Sequence, residues 1–226
     1  MDVIRLEQID RVFEEGGATV PALRGVNLAI PAGQMVALVG SSGSGKSTLL
    51  HLIGAMDVPT AGRLWFEGRD LAALSDAGRT EVRGRRVGFV FQFFHLLPTL
   101  DLLENVMLPA LIAGEPERAV KPRAARLLDE VGLGSFAARR VTGLSGGERQ
   151  RGAIARALIH DPPVVLADEP TGGLDSQNGQ VIIDTLRALP AARGTTVVLA
   201  THAAELARVA DRTIELHDGR VVRDGD

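Results

Sequence analysis

The sequence predicts an α/β fold built on a central parallel sheet, with a helical segment inserted between two of the strands. Three observations carry this. Short continuous apolar runs alternate with amphipathic helical patterns, as expected for strands buried on both faces and joined by crossover helices. A long middle stretch shows helical periodicity and no convincing strand. Hydrophobic residues make up 45% of the 226 and charged residues 23%, enough to bury the core of one domain, or of one domain with a sizeable insertion.

Taken in order, the N-terminal part reads as short strands, Val3–Leu6, Val26–Ile30 and Arg63–Glu67, bounded by Gly16-Gly17, by the turn from Pro31 to Gly33 and by Gly68. Met35–Val39 is a continuous apolar run ending at a glycine. A Gly/Ser loop follows it, then a helical pattern from Lys46 to Ile53 that stops at Gly54. Val87–Phe91, Val164–Ala167 and Thr196–Ala200 read as further buried strands. Arg212 to Val222 is a hairpin turning at Asp218-Gly219. From Phe93 to about His160 the chain reads as the helical insertion, with an amphipathic pattern over Ala124–Leu133.

Several function classes lose support. The net charge of −3 offers no basic face for a nucleic acid. With no cysteine, disulfides and thiolate zinc sites are excluded. The first residues mix charges into every turn, unlike a signal peptide. No run reaches the roughly 20 apolar residues that cross a bilayer; the nearest, Phe93 to Ala113, is interrupted by His95, Pro98, Asp101, Glu104, Asn105 and Pro109. The chain is expected to be soluble by itself, with any membrane link made through another protein, and to carry no further domain after Val222.

Gly40, Ser41, Ser42, Gly43, Ser44, Gly45, Lys46, Ser47 and Thr48 fit the phosphate-loop pattern G-x-x-x-x-G-K-[ST], between a buried strand and a helix. The glycines let backbone N–H groups turn inward onto a phosphate chain, and the helix adds its positive N-terminal end. Lys46 is expected on the β- and γ-phosphates and Ser47 on Mg²⁺. Val164 to Pro170 then places Asp168 and Glu169 at the carboxyl end of a buried strand, where open α/β sheets bind ligands. Asp168 is placed to hold Mg²⁺ through water and Glu169 to act as general base.

Leu144 to Leu158 is the most informative stretch. Ser145 to Glu148 is an S-x-x-E capping box opening an amphipathic helix. A helix start needs no paired glycines, which cost stability, whereas glycines at such a tip let an anion approach the exposed N–H groups. The LSGGE segment resembles the signature motif of ABC ATPases, and the order of motifs from about Val3 to Val222 is similar to that family's.

The resemblance implies an ABC ATPase fold: a P-loop NTPase (RecA-like) core with an N-terminal antiparallel β-subdomain and an inserted α-helical subdomain. Residues 1–92 and 160–226 would form the nucleotide-binding core with its β-subdomain, and 93–159 the helical subdomain. ATP and Mg²⁺ are the implied ligands and a head-to-tail homodimer the implied assembly, each ATP clamped between one copy's phosphate loop and the other's signature. Ser145, Gly146 and Gly147 then face the γ-phosphate of the partner's ATP. Gln92 resembles the glutamine that senses Mg²⁺ and the nucleophilic water. Asp175, in Thr171–Asp175, resembles a residue reaching across the dimer, and His202 the switch histidine on the γ-phosphate. Phe13 holds the position of the adenine-stacking aromatic, where Tyr is common; it can also simply cover the edge of the N-terminal sheet. Gly173, Ala203 and Val141 depart from the family's usual Asn, acid and Pro.

Ser41 to Gly68 and Phe91 to Pro109 resemble the LolD/MacB/FtsE branch, whose ATPases drive membrane partners with large periplasmic parts; the HLLP stretch at His95–Pro98 leans towards the LolD-like members. The implied location is the cytoplasmic face of the inner membrane, bound through permease subunits. Phe93, Phe94, Leu96, Leu97 and Leu100 either line the groove for that partner or belong to the core of the helical insertion. A regulatory ATPase that moves no cargo, and an ABC importer, share the same core motifs.

Overall fold

The computed structural model describes residues 1–202 and 204–225, with side chains for all of these except Glu15, Ala204 and Glu205. Ala203, one of the departures from the family pattern, lies outside the described residues. In chain order the elements are β1 (Asp2–Glu15), β2 (Ala18–Pro31), β3 (Met35–Val39), α1 (Lys46–Ile53), β4 (Ala61–Phe66), β5 (Arg69–Asp70), α2 (Asp76–Glu81), a π-helical turn at Val82–Arg86, β6 (Val87–Phe91), α3 (Leu102–Ile112), α4 (Glu117–Glu130), α5 (Gly146–Ala157), β7 (Val164–Asp168), α6 (Ser176–Arg193), β8 (Thr196–Ala200), α7 (Ala204–Val209), β9 (Arg212–His217) and β10 (Arg220–Gly225).

Two sheets organise them. An antiparallel sheet runs β2-β1-β4-β5, and a second runs β10-β9-β3-β8-β7-β6. In the second, β9, β3, β8, β7 and β6 are mutually parallel and β10 returns antiparallel on β9. β3, β6 and β8 coincide with the apolar runs that predict them. β1 extends well past the expected Val3–Leu6. Its pairing with β2 shifts register between Leu6 and Ile9, and Gln8 has φ 49°, so an irregularity breaks the period-two alternation that would have revealed the whole strand.

The continuous apolar runs have a direct cause, because the parallel sheet is buried on both faces. Val36, Leu38, Val164, Leu166, Val198 and Ala200 pack toward α1 and the antiparallel sheet. Their neighbours Ala37, Val165, Ala167, Val197 and Leu199 pack toward the helices α3 to α6. The strands β6 and β7 are adjacent and parallel, and α3, α4 and α5 lie between them in sequence. α3 and α5 approach closely: a Cβ at Gly152 would meet Leu102 Cδ1 at 2.6 Å. Among the described residues no helix is long and apolar enough to cross a membrane.

Candidate active site

The carboxyl ends of β3, β8, β7 and β6 lie side by side, so the residues that follow these strands converge on one edge. They line one cavity of about 800 Å³ with Phe13, Ala22, Ser42, Gly43, Gly45, Lys46, Ser47, Thr48, Gln92, Asp168, Glu169 and His202 on its walls. Of these, Ala22 alone belongs to none of the motifs singled out in sequence. Gly40 and Ser44 sit behind the wall: a Cβ at Gly40 would meet Leu216 O at 2.3 Å and Ser44 Oγ at 2.6 Å. Ser145, Gly146, Gly147 and Asp175 do not line this cavity.

Gly43 and Gly45 have φ of 79° and 105°, values that only glycine adopts without strain. A Cβ at Gly45 would also meet Ala22 O at 2.7 Å. Gly45 caps α1 with no side-chain hydrogen bond, so the first amides of α1 have no intrahelical partner and no cap. Lys46 Nζ donates to Gly40 O at 2.8 Å and Ser41 O at 2.9 Å, which holds the ammonium inside the loop. The C-terminal hairpin braces the loop from behind. Gly219 N donates to Ser44 O at 3.1 Å and Arg24 N to Gly219 O at 2.8 Å. Asp218 and Gly219 both have positive φ, 46° and 76°, the conformation of a tight hairpin turn. The Asp-Gly pair was legible as a turn; its role as a brace was not.

Glu169 is a non-glycine residue at φ 46°, a strained position typical of functional sites. Its N–H donates to Ala200 O at 2.9 Å, and its own carbonyl accepts from Gly172 N at 2.9 Å. His202 Nδ1 lies 2.8 Å from Glu169 Oε1, and Thr201 Oγ1 donates to Oε2 at 3.4 Å. A carboxylate that accepts in this contact takes its hydrogen from Nδ1. A neutral His202 in this pairing has an acceptor at Nε2. Donating from Nε2 to a phosphate oxygen then requires the imidazolium, or rotation of the ring away from Glu169.

Gln92 lies against Gly172, where a Cβ would meet Gln92 Nε2 at 2.8 Å and Cγ at 2.9 Å. A side chain at 172 would displace Gln92. Gln150, fully buried on α5, donates to Pro170 O at 2.6 Å and Phe91 O at 3.3 Å. It thus ties α5 to the residues flanking both Gln92 and Glu169. Sequence reading passed over Gln150, although it shares the core-facing stripe of Ile154 and Leu158.

At the tip of α5 the capping box forms as expected. Glu148 N donates to Ser145 Oγ at 3.3 Å and Ser145 N to Glu148 Oε2 at 2.7 Å. The amides of Gly146 and Gly147, in the first turn, have no intrahelical partner. Gly147 is buried against α6: a Cβ there would meet Asn178 Oδ1 at 2.2 Å. Asn178 engages both oxygens of Asp175, its N–H at 2.9 Å and its Nδ2 at 2.7 Å. The backbone N–H of Asn178, then its side chain, hold the Asp175 carboxyl below the usual carboxylate range. The spacing of Asp175 and Asn178 marks a helix N-cap, but the approach of Asn178 to Gly147 crosses between helices and leaves no local signal.

Residues 23–172 match the family model described as ABC transporter, well over half of the chain. This chain belongs to the ABC transporter family. The lipoprotein-releasing system ATP-binding protein LolD of Xanthomonas campestris pv. campestris is 46% identical over 219 residues, covering 97% of this chain and 92% of that protein. The LolD protein of Xylella fastidiosa is 46% identical over 217 residues, covering 96% and 90%. Among solved structures, the dimeric ATP-binding cassette MJ0796 in a post-hydrolysis state bound to ADP and Pi matches with a TM-score of 0.90 and 40% identity, covering 99% of this chain and 98% of that one. The chain carries the family's ATPase cassette, and its two sheets and helices make the ABC ATPase fold.

The donor set at the cassette's cavity suits a hard divalent cation. Ser47, Gln92 and Asp168, each with a side-chain oxygen, line this cavity, and Mg²⁺ favours a site made of few protein oxygens plus phosphate oxygens and water. A second cavity, of about 390 Å³, opens beside β6, α3 and α5. Val87, Phe89, Phe91, Leu108, Pro109 and Ile112 line it, with Arg83, His95, Arg156 and His160. None of Phe93, Phe94, Leu96, Leu97 and Leu100 does. Phe93, at 75% exposure, and Leu97 are exposed, Leu96 packs on the core, and Phe94 lies under the Arg149 guanidinium at 5.1 Å. The loop is pinned this way because Arg156 donates to Phe94 O at 2.8 Å and to His95 O, while buried Asn105 exchanges hydrogen bonds with Leu97.

Proposed function

We propose that this chain is the ATP-hydrolysing subunit of a bacterial complex of the lipoprotein-releasing kind, working as a head-to-tail homodimer. In this reading it sits on the cytoplasmic face of the inner membrane through permease subunits. The observation that carries the chemistry is the meeting of Lys46, Gln92, Asp168, Glu169 and His202 on one cavity. The likeness to LolD proteins along nearly the whole chain supports the lipoprotein-releasing assignment, and the dimeric cassette with ADP and Pi supports ATP as the substrate.

The phosphate-loop amides and Lys46 bind the β- and γ-phosphates, and Phe13 stacks on the adenine. Ser47 directly, Asp168 through water and Gln92 would hold Mg²⁺, which when bound neutralises charge on the phosphates. Glu169 takes a proton from the attacking water as its oxygen bonds to the γ-phosphorus. The bond from that phosphorus to the β,γ-bridging oxygen breaks, leaving ADP and phosphate. Ser145, Gly146 and Gly147 of a second copy donate to the γ-phosphate, so cleavage removes the bridge between copies. Asp175 reaches toward the same junction. Residues 93–159 act as one helical subdomain on the core formed by 1–92 and 160–226. The permease docks near Phe93, Phe94, Leu96, Leu97 and Leu100, whose loop also sends His95 into the lining of the cavity with Phe91, Leu108 and Ile112.

Glu169→Gln tests this reading. ATP binding should persist, hydrolysis should fall on the order of 10²–10⁴-fold, and size-exclusion with Mg-ATP should show a dimer. Hydrolysis at the parental rate would remove Glu169 as the general base. A strictly monomeric Glu169→Gln protein, even with its co-purified membrane subunits present, would remove the trans role of the α5 tip.

A further inference from the structure

We propose that Arg11, clamped by Asp57, is a positioning residue for the nucleotide base: it backs the Phe13 ring and holds that ring at a set place relative to the phosphate loop. The inference rests on the reading of Phe13 as the base-stacking residue and adds to it the device that orients the ring.

Phe13 has no polar atom with which to anchor itself, and it stands near the open end of β1 at 38% exposure. Arg11 lies two positions earlier, on the same side of the strand. Its guanidinium carbon is 4.4 Å from the centroid of the Phe13 ring, the distance of a stacked cation–π pair. That packing occupies one face of the ring and leaves the other for a base. The guanidinium is itself fixed in plane. Nε donates to Asp57 Oδ2 at 2.7 Å and Nη2 to Asp57 Oδ1 at 2.9 Å, a bidentate fork that lysine cannot reproduce. Both partners are about four-fifths buried, at 21% and 24% side-chain exposure, so the geometry is shielded from competing water.

Asp57 stands in the turn that ends α1. Its N–H donates to His51 O at 3.3 Å, and its Oδ1 also accepts from Val58 N at 2.8 Å. A second set of bonds runs beside the first. Val12 N donates to Thr60 Oγ1 at 3.0 Å, and Thr60 N donates to Asp10 O at 2.8 Å. The strand that carries the ring is therefore stapled to the far end of the helix whose first turn carries Lys46 and Ser47. A nucleotide has a set span between base and phosphates, and this staple sets the matching span in the protein. The order of layers is guanidinium, phenyl ring, base, with the Asp57 carboxylate gripping the guanidinium at its edge.

The test compares a ligand with a base to one without: the KM for ATP, and the inhibition constant of inorganic tripolyphosphate, which addresses the phosphate loop alone. Phe13→Ala should raise the ATP KM about tenfold, the scale of base–aromatic stacking. Arg11→Ala should raise it about fivefold, and Asp57→Asn should raise it by less, with kcat and the tripolyphosphate constant near parental values in each. The Arg11→Ala and Phe13→Ala changes should combine to less than the product of their separate effects. Arg11→Lys should resemble Arg11→Ala. If Arg11→Ala weakens ATP and tripolyphosphate together, Arg11 serves the loop's architecture and the inference fails. It also fails if Phe13→Ala raises the ATP KM and Arg11→Ala does not. An unchanged KM in Phe13→Ala would instead remove the stacking role of Phe13 itself, and the inference with it.

Discussion

Two glycine-led helix tips differ in a way that explains their placement. The tip of α1 begins at Gly45, is left without a side-chain cap, and is enclosed by the sheet edge and the brace of Gly219. The tip of α5 begins at exposed Ser145 and is capped reciprocally by Glu148. The first leaves its amides and the Lys46 ammonium within one chain's own cavity, as the proposed phosphate site requires. The second is held by its own side chains, with Gly146 half-buried and Gly147 buried against α6, so under the proposed head-to-tail reading it would meet only a phosphate bound elsewhere. Glycine also has different uses at the two. Gly45 needs a left-handed backbone, whereas Gly147 needs room for Asn178.

The contrast can be broken by substitution at either tip, and the largest effect belongs to α1. Lys46→Ala should abolish measurable ATP binding in calorimetry and lower hydrolysis on the order of 10³-fold; tight ATP binding by this variant would show that the α1 tip is not the primary phosphate site. Gly147→Ala should act differently. Its Cβ would displace Asn178 and break the bond to Asp175. The isolated chain should still bind ATP, while turnover falls on the order of 10²-fold. Loss of binding to the monomer would erase the distinction between the tips.

Two smaller effects sharpen the role of α5. Gln150→Leu removes the bonds to Pro170 O and Phe91 O; Phe91 O keeps Phe94 N but the buried Pro170 carbonyl loses its Gln150 donor, which should cost about 1–3 kcal/mol in urea unfolding. A change within experimental error would mean that other contacts hold α5 to the sheet ends. Just beyond the other end of the helix, burial pushes the His160 imidazole below its usual range, against a smaller upward pull from Glu115. The unfolded chain then binds the proton more readily, so this group costs stability as pH falls through the ordinary imidazole range. Between about pH 7.5 and pH 5.5, His160→Gln should lose less stability than the parent; parallel losses would show that His160 does not drive the trend.

Local patterns carried much of the fold. β3, β6 and β8 follow their apolar runs because two-sided burial demands uninterrupted hydrophobicity, and α1 stops at Gly54 as its pattern does. The residues of the phosphate loop, with Asp168 and Glu169, could be marked in sequence because each follows a recognisable strand, whereas Gln92 and His202, also at strand ends, were marked only by their resemblance to the ABC ATPase motifs. β1 was only partly legible, since the irregularity near Gln8 interrupts its alternation.

The amino-acid sequence by itself determined which chemistry the chain can carry, because backbone-binding glycines, a loop lysine and a strand-end carboxylate pair are specified over a few consecutive residues. Tertiary structure alone decided how those parts are held. Arg11 meets Asp57 across 46 positions, Gln150 meets Pro170 across 20, and Gly147 meets Asn178 between two helices. Such contacts arise from packing that no short window of sequence records. The cavity beside β6, α3 and α5 likewise draws its lining from residues spread between Arg83 and His160, and Arg156 reaches back across 62 positions to Phe94 O.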